Sequence, residues 1–222
     1  SLSQQEWDEV IDYLNECGEK VPVVLLNDIA YIDYSYRGKA ARDYIKTFDK
    51  ISENVFVVIA FSISKSMTSY GMRCGAAILM AQKEESVREV EIVFEKAARA
   101  IWSNVNNAAM ENFVTVVTDN RDAYEAEKDK YVDLLKERST IFTSEADACG
   151  LEYYPYKEGF FVTVKIDDNN VRNAYHEALM KEHIYTVMVN KGIRVAVCSL
   201  PVEKCKGLAG RMKKILDEVT AA

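Results

Sequence analysis

The segment Phe61-Ser-Ile-Ser-Lys-Ser-Met-Thr-Ser-Tyr-Gly-Met-Arg-Cys-Gly75 sets Lys65 among hydroxyls at Ser62, Ser64, Ser66, Thr68 and Ser69, with Arg73 eight residues beyond the lysine. Hydroxyls and an arginine can hold a phosphate without glycines, because the guanidinium fork offers paired N–H donors to its oxygens. A lysine beside a phosphate can neutralise it. It can also act as an imine-forming nucleophile, since desolvation and nearby cations favour the neutral amine. A serine-rich loop with two solvated cations is the plainer reading of the same residues. The second segment is Asn27-Asp28-Ile-Ala-Tyr31. A carboxylate there can keep a pyridine nitrogen protonated, and a phenol three residues later can donate to an aromatic oxygen. Equally, Asp28 can cap the next segment and Tyr31 can pack.

Two arginines complete the candidates. Arg194 interrupts the apolar run of Lys191-Gly-Ile-Arg-Val-Ala-Val-Cys198. A charge inside a strand is costly unless it is paired or meets a ligand. On an edge strand, however, it would simply reach water. Arg99, in Arg99-Ala-Ile-Trp-Ser-Asn104, falls at the end of a helical pattern, where a cation also suits the helix dipole.

The elements that must position these residues are legible as patterns. Residues 3–17 read as an amphipathic helix: Ser3 and Glu6 have capping-box spacing, Trp7, Val10, Ile11 and Leu14 share a face, and Gly18 is a plausible stop. Val21–Leu26 and Val55–Phe61 lack period-2 alternation and read as strands buried on both faces of an α/β sheet. Asp28 and Lys65 then lie just past their carboxyl ends, where open α/β sheets bind ligands. A helix near 38–49 links them. A third run, Cys74–Met80, follows too closely to require a parallel pairing. Helices follow over 83–102, with Val87, Val90, Phe94, Ala97, Ala98 and Ile101 on one side, over 107–118, and over a long charged stretch, 119–149, ended by Gly150. Next come a strand (Phe160–Ile166), a helix (Asn170–Glu182), two strands (Tyr185–Val189 and Ile193–Cys198) and a helix (Glu203–Val219). The change of character places a domain boundary near 118, with residues 1–118 in one domain and 119–222 in an α+β domain entered by the long helix.

The 222 residues carry a net charge of −7, which argues against nonspecific nucleic-acid binding. No apolar run approaches the ~20 residues of a membrane span, and no signal peptide is evident. The five cysteines are odd in number and scattered, with no paired spacing, so neither a disulfide framework nor a metal site is expected and a reducing cytoplasm fits best. His176 and His183 read as helix-surface residues.

Together the four segments resemble the fold-type I, pyridoxal phosphate-dependent aminotransferases, most closely the aspartate and aromatic amino acid group of class I. The family pattern is Asp-x-Ala-Tyr, then Ser-x-x-Lys with an arginine eight residues after the lysine, then Arg-x-x-x-Ser-Asn and a strand arginine. All stand here in order. The resemblance implies that Lys65 forms the imine with pyridoxal phosphate and shuttles the substrate proton. It implies that Asp28 partners the pyridine nitrogen, that Tyr31 donates to the ring oxygen, and that Ser62 and Arg73, with Ser64 as a lesser contact, bind the phosphate. Arg194 resembles the anchor of the substrate α-carboxylate, and Arg99 the arginine that reaches a distal carboxylate across a homodimer. Tyr70 and Phe161 are plausible pocket residues. The family's Ser-Asn-Pro-Pro is here Ser103-Asn-Val-Asn106, which leaves side-chain preference open.

The resemblance covers essentially the whole chain but only the later part of the family's length. It implies a carboxyl-terminal portion: the last strands of the large mixed sheet with flanking helices, plus an α+β small domain. The expected function is transfer of an amino group between an amino acid, aspartate/glutamate or aromatic, and a 2-oxo acid. The isolated chain, lacking its amino-terminal partner segment, is expected to be inactive. A lyase or decarboxylase on the same scaffold, or a non-catalytic binding module, are the alternatives. Retention of Lys65, Asp28 and Arg194 together speaks against the module.

Overall fold

The computed structural model describes residues 2–221. They group into two compact units, divided between Ala126 and Glu127. Among the described residues, no helix is long and apolar enough to cross a membrane.

The first unit opens with helix α1 (Gln4–Gly18). Its start follows the expected capping box: the Ser3 hydroxyl accepts the Glu6 N–H at 3.2 Å, and the Glu6 carboxylate accepts the Ser3 N–H at 2.6 Å. Gly18 serves a different purpose from a left-handed stop. It is the last, buried residue of α1, and a Cβ there would lie 3.1 Å from Ser52 Oγ and 3.3 Å from Val55 Cγ2. Close packing against the start of the second strand is what requires glycine.

Strands β1 (Val23–Asp28), β2 (Val55–Ser62) and β3 (Gly75–Met80) form one sheet in the order β1-β2-β3. β1 runs parallel to β2, from Val23 opposite Val55 to Asp28 opposite Ala60, and β3 returns antiparallel, with Gly75 opposite Ser62. The carboxyl ends of β1 and β2 therefore lie side by side. Ile11 of α1, Phe48 and Ile51 pack with Val55, Val57 and Ile59 of β2 into a buried cluster. Between β1 and β2, residues Gly38–Lys50 form successive 3-10 turns where an α-helix was expected. Side chains three apart eclipse in such turns. Ala41 and Thr47 are accordingly buried, and Tyr44, between them, stacks on Trp7 with ring centroids 4.5 Å apart.

The expectation that β1 is covered on both faces does not hold within this chain. Val24 and Leu26 are 67% and 66% exposed, while Val23 and Leu25 pack against the core. Here α1 and the 38–50 turns cover one face. A similar correction applies to helix α3 (Glu84–Ile101), whose apolar stripe contains no buried residue. Helix α4 (Asn107–Val117) follows, capped by the Asn106 side chain on the Ala109 N–H at 3.2 Å.

Helix α5 (Arg121–Cys149) begins in the first unit and runs into the second. Its end confirms the glycine signal: Gly150 has φ +72°, and the Leu151 N–H bonds Ala146 O at 2.9 Å, the six-to-one bond of a Schellman motif. Strands β4 (Phe161–Lys165), β5 (Val187–Val189) and β6 (Gly192–Ala196) form an antiparallel sheet in the order β4-β6-β5. Helix α6 (Asn169–Lys181) is capped by Asp168. The final helix expected over 203–219 is broken into α7 (Val202–Cys205) and α8 (Leu208–Ala221) at Gly207, whose φ is +75°. The Gly207 N–H is held by Glu145 of α5 at 2.7 Å. The buried Tyr175 of α6 donates to Met212 O at 2.9 Å and ties α6 to α8.

Candidate active site

Where β2 ends, a single helical turn, α2 (Ile63–Ser66), carries Lys65. Ser62 makes this turn possible. Its backbone is extended, and its hydroxyl accepts the Ser64 N–H at 3.1 Å. The chain is pulled back toward β3 by the Ile63 N–H on Cys74 O at 3.2 Å. Gly75 permits that approach, because a Cβ there would fall 2.5 Å from the Phe61 carbonyl oxygen.

The loop between α2 and β3 holds two non-glycine residues in the left-handed region, Thr68 at φ +50° and Arg73 at φ +54°. Such conformations are uncommon for residues with a Cβ. At Arg73 the conformation turns the guanidinium back onto its own loop, where it donates to Tyr70 O at 2.6 Å and reaches Ser64 Oγ at 3.4 Å. Two cations approach the Tyr70 ring: Lys65 Nζ is 4.6 Å and Arg73 Cζ 4.9 Å from its centroid. The Tyr31 ring lies 5.8 Å from the same amine. No carboxylate of the described residues lies within ion-pair distance of Lys65 or Arg73. In a chain of net charge −7, this loop is a concentrated positive site with hydroxyls at its base.

Asp28 reaches this end of the sheet from β1. Its Oδ1 accepts the Ala30 N–H at 2.9 Å in a local turn that occupies one carboxylate oxygen, while the following 3-10 turn has no side-chain cap. The parallel register places Asp28 opposite Ala60, two residues before Ser62. Asp28, Tyr31, Ser62, Lys65 and Arg73 therefore gather at one end of one sheet.

Arg194 belongs to the other unit. It lies in β6, the central strand, paired with Thr163 on one side and Val187 on the other. An edge position, which would have sent it to water, is thereby excluded. Its guanidinium carbon stacks 4.4 Å over the Phe161 ring, and its Nε is buried without a hydrogen-bond partner. A buried, unpartnered guanidinium N–H is costly, and an anion would relieve the cost. Arg99 is exposed in the last turn of α3, and among the described residues no hydrogen bond, ion pair or ring contact links it to the Lys65 loop. His176 lies on α6 with Nε2 3.2 Å from Thr186 O.

Two residues of this site escaped sequence reasoning. Tyr34 donates to Lys65 O at 3.1 Å, and Tyr124 donates to Ser66 O at 2.9 Å. Tyr124 read only as one of the aromatics spaced along the long helix. No local signal could have paired it with a residue 58 positions away. Burial, with Asp33 adding to it, pushes the Tyr124 phenol well above its ordinary range.

Comparison with known proteins identifies the family. Residues 1–212 match the family model described as aminotransferase class I and II. The chain is 22% identical to a mitochondrial aspartate aminotransferase of Gallus gallus over 89% of its own length and 45% of the relative's. It is 23% identical to the mitochondrial aspartate aminotransferase P2 of Lupinus angustifolius, over 92% of this chain and 44% of that one. An aminotransferase crystal structure from Anaerococcus prevotii superposes with a TM-score of 0.92 at 35% identity, over 98% of this chain and 53% of that one. An aromatic-amino-acid aminotransferase from Burkholderia pseudomallei, covalently bound to pyridoxal phosphate, shares the fold with a TM-score of 0.74 at 19% identity, over 97% and 52%. The chain thus spans about half the length of the relatives it matches. With the family model covering nearly all of it, the chain belongs to the aminotransferase class I and II family.

Proposed function

We propose that this chain forms the carboxyl-terminal part of a pyridoxal phosphate-dependent aminotransferase, which moves an amino group between an amino acid, aspartate/glutamate or aromatic, and a 2-oxo acid. The observation that carries the reading is the Lys65 amine. It stands at the end of β2 between two tyrosine rings, beside Arg73 and without an acidic partner among the described residues.

The residues fit a phosphorylated pyridine aldehyde. Ser62 and the doubly tethered Arg73 offer a hydroxyl and a guanidinium to phosphate. Asp28, with one oxygen engaged by Ala30, offers the other to a protonated ring nitrogen. Tyr31 offers its phenol to the ring oxygen. The cofactor, when bound, supplies an electron sink for the charge released at the substrate Cα. Lys65 would take the Cα proton and deliver it two atoms away, to the cofactor carbon C4′, as a general base and then acid. Arg194, pre-oriented by its stack on Phe161, binds the substrate α-carboxylate through its planar fork. Arg99 receives a distal carboxylate from a partner subunit's substrate in a homodimer. The names of the relatives favour aspartate or aromatic substrates.

For the 222 residues alone we expect little or no turnover. Groups around a reacting centre must be held within about 0.5 Å, and the chain spans about half the length of its relatives. The test is to incubate the chain with pyridoxal phosphate, fix the adduct with borohydride and map the modified lysine. Modification concentrated at Lys65 is expected, and modification spread over the exposed lysines refutes the reading. Turnover of aspartate and 2-oxoglutarate at a rate usual for aminotransferases would refute the inactivity.

A further inference from the structure

Two tyrosines that are not among the proposed phosphate or ring contacts bond the backbone that carries Lys65. The Tyr34 phenol donates to Lys65 O at 3.1 Å, and the Tyr124 phenol donates to Ser66 O at 2.9 Å. They come from distant parts of the chain. Tyr34 closes the tight turn Ile32–Tyr34, and Tyr124 stands in the first turn of α5. Their acceptors are consecutive carbonyls at the end of a four-residue helix, and the Lys65 carbonyl also accepts the Thr68 N–H at 3.1 Å. Tyr34 is 7% and Ser66 3% exposed, Lys65 and Tyr124 are half-buried, and both bonds are partly shielded from water. Hydrogen bonds in such surroundings are stronger, and their loss is more disruptive. The turn bearing Tyr34 is itself anchored, because the adjacent Asp33 pairs with Arg42.

We propose that Tyr34 and Tyr124 are positioning residues for Lys65. By fixing two consecutive carbonyls they set the rotation of the α2 turn, so that the lysine stem leaves it toward the Tyr70 and Tyr31 rings. The inference rests on the reading of Lys65 as the reactive amine. Burial keeps the Tyr124 phenol protonated, and therefore a donor, well past the ordinary phenol range. Phenylalanine at either position keeps the ring and removes the phenol that donates to the carbonyl.

The experiment compares the unsubstituted chain with Tyr34→Phe, Tyr124→Phe and the double variant. The control is Tyr175→Phe, which deletes a phenol–carbonyl bond to Met212 in the second unit. The probe is pyridoxal phosphate, fixed with borohydride over a pH series. The readouts are the fraction of label at Lys65 relative to the other lysines and the pH midpoint of that labelling. Each single variant is expected to lower the Lys65 preference about fivefold, the equilibrium weight of one hydrogen bond. The double variant lowers it further and moves the midpoint. Tyr175→Phe lowers stability and leaves both readouts unchanged. A double variant that labels Lys65 with unaltered preference and midpoint overturns the positioning role while leaving the reading of Lys65 intact. Absence of Lys65 preference in the unsubstituted chain overturns that reading and this inference with it. Tryptophan fluorescence verifies folding, and should the double variant unfold, the single variants decide.

Discussion

Gly75 offers a direct test of how the sheet builds the site. It pairs with Ser62 across β2 and β3, two residues after Arg73. An alanine Cβ there would lie 2.5 Å from Phe61 O and 3.4 Å from Ser62 Cα. The nearer atom is backbone in the middle strand of the sheet, so no flexible side chain can move aside. The strands must part by roughly half an ångström or more, and overpacking of this kind costs about 1–3 kcal/mol. Gly71 and Gly38 separate this effect from conformation. A Cβ on Gly71 meets nothing within 4 Å, and its φ is not positive, so Gly71→Ala should stay within about 0.5 kcal/mol of the unsubstituted chain. Gly38 also meets nothing within 4 Å, but its φ is +57°, so Gly38→Ala should cost about 1–2 kcal/mol from backbone strain alone.

Urea unfolding followed by tryptophan fluorescence measures all three, because Trp7 and Trp102 both lie in the first unit. The expected order of midpoints is Gly71→Ala highest, with Gly38→Ala and Gly75→Ala below it. The function should separate the last two. Gly75→Ala displaces Ser62 and Arg73 and should lose Lys65 labelling by pyridoxal phosphate, whereas Gly38→Ala should retain it. A Gly75→Ala chain with an unshifted midpoint and full labelling would refute the close-approach argument.

Three further outcomes follow from single contacts. Tyr124 has a raised folded pKa, so its contribution is fully present below the ordinary phenol value of 10.0 and is lost as pH rises past it, when the unfolded chain releases its proton first. The midpoint difference between the unsubstituted chain and Tyr124→Phe, read by tryptophan fluorescence, should therefore shrink as pH climbs through that range, and a difference that grows contradicts the buried phenol. Arg194→Met removes a buried, unpartnered Nε and a stack on Phe161, effects that nearly cancel. Unfolding of the second unit, read by amide exchange in β6, should change by less than about 1 kcal/mol, and a loss above that range would make the guanidinium structural. Ser3→Ala deletes one half of the α1 capping box and should lower first-unit stability by about 1 kcal/mol in the same urea assay.

Much of the scaffold was legible because local chemistry decides it. Ser3 and Glu6 cap α1 as their spacing requires, and Gly150 ends α5 in the left-handed conformation that glycine adopts readily. The short 62–73 connection left the third strand free to return antiparallel, and it does. Burial was less legible. Val24 and Leu26 have the same residue types as Val23 and Leu25, yet within this chain only one set meets a covering layer. Residue type states that a face prefers cover, not which segment provides it. Gly18 and Gly207 show a related ambiguity: a glycine in a helical pattern can mark a stop, a close approach or a break, and only the neighbours decide which.

The site divides along the same line. Asp28, Ser62, Lys65 and Arg73 were legible because chemistry at the ends of adjacent parallel strands is a consequence of topology, and topology follows from the apolar runs. Arg194 was legible as an anomaly, since a charge in a strand core demands an explanation. Its central position in the sheet turns the anomaly into a requirement for a partner. Tyr34 and Tyr124 were not legible, because each acts through one hydrogen bond to a backbone atom, and any residue supplies a carbonyl. The contrast has a physical basis. Two of the groups stand out by what they lack: the Lys65 amine has no carboxylate and the Arg194 Nε no acceptor among the described residues. The two phenols proposed to position Lys65 are satisfied by the carbonyls of Lys65 and Ser66. An unmet group is visible as a residue type out of place, whereas a met one is visible only once the chain has folded around it.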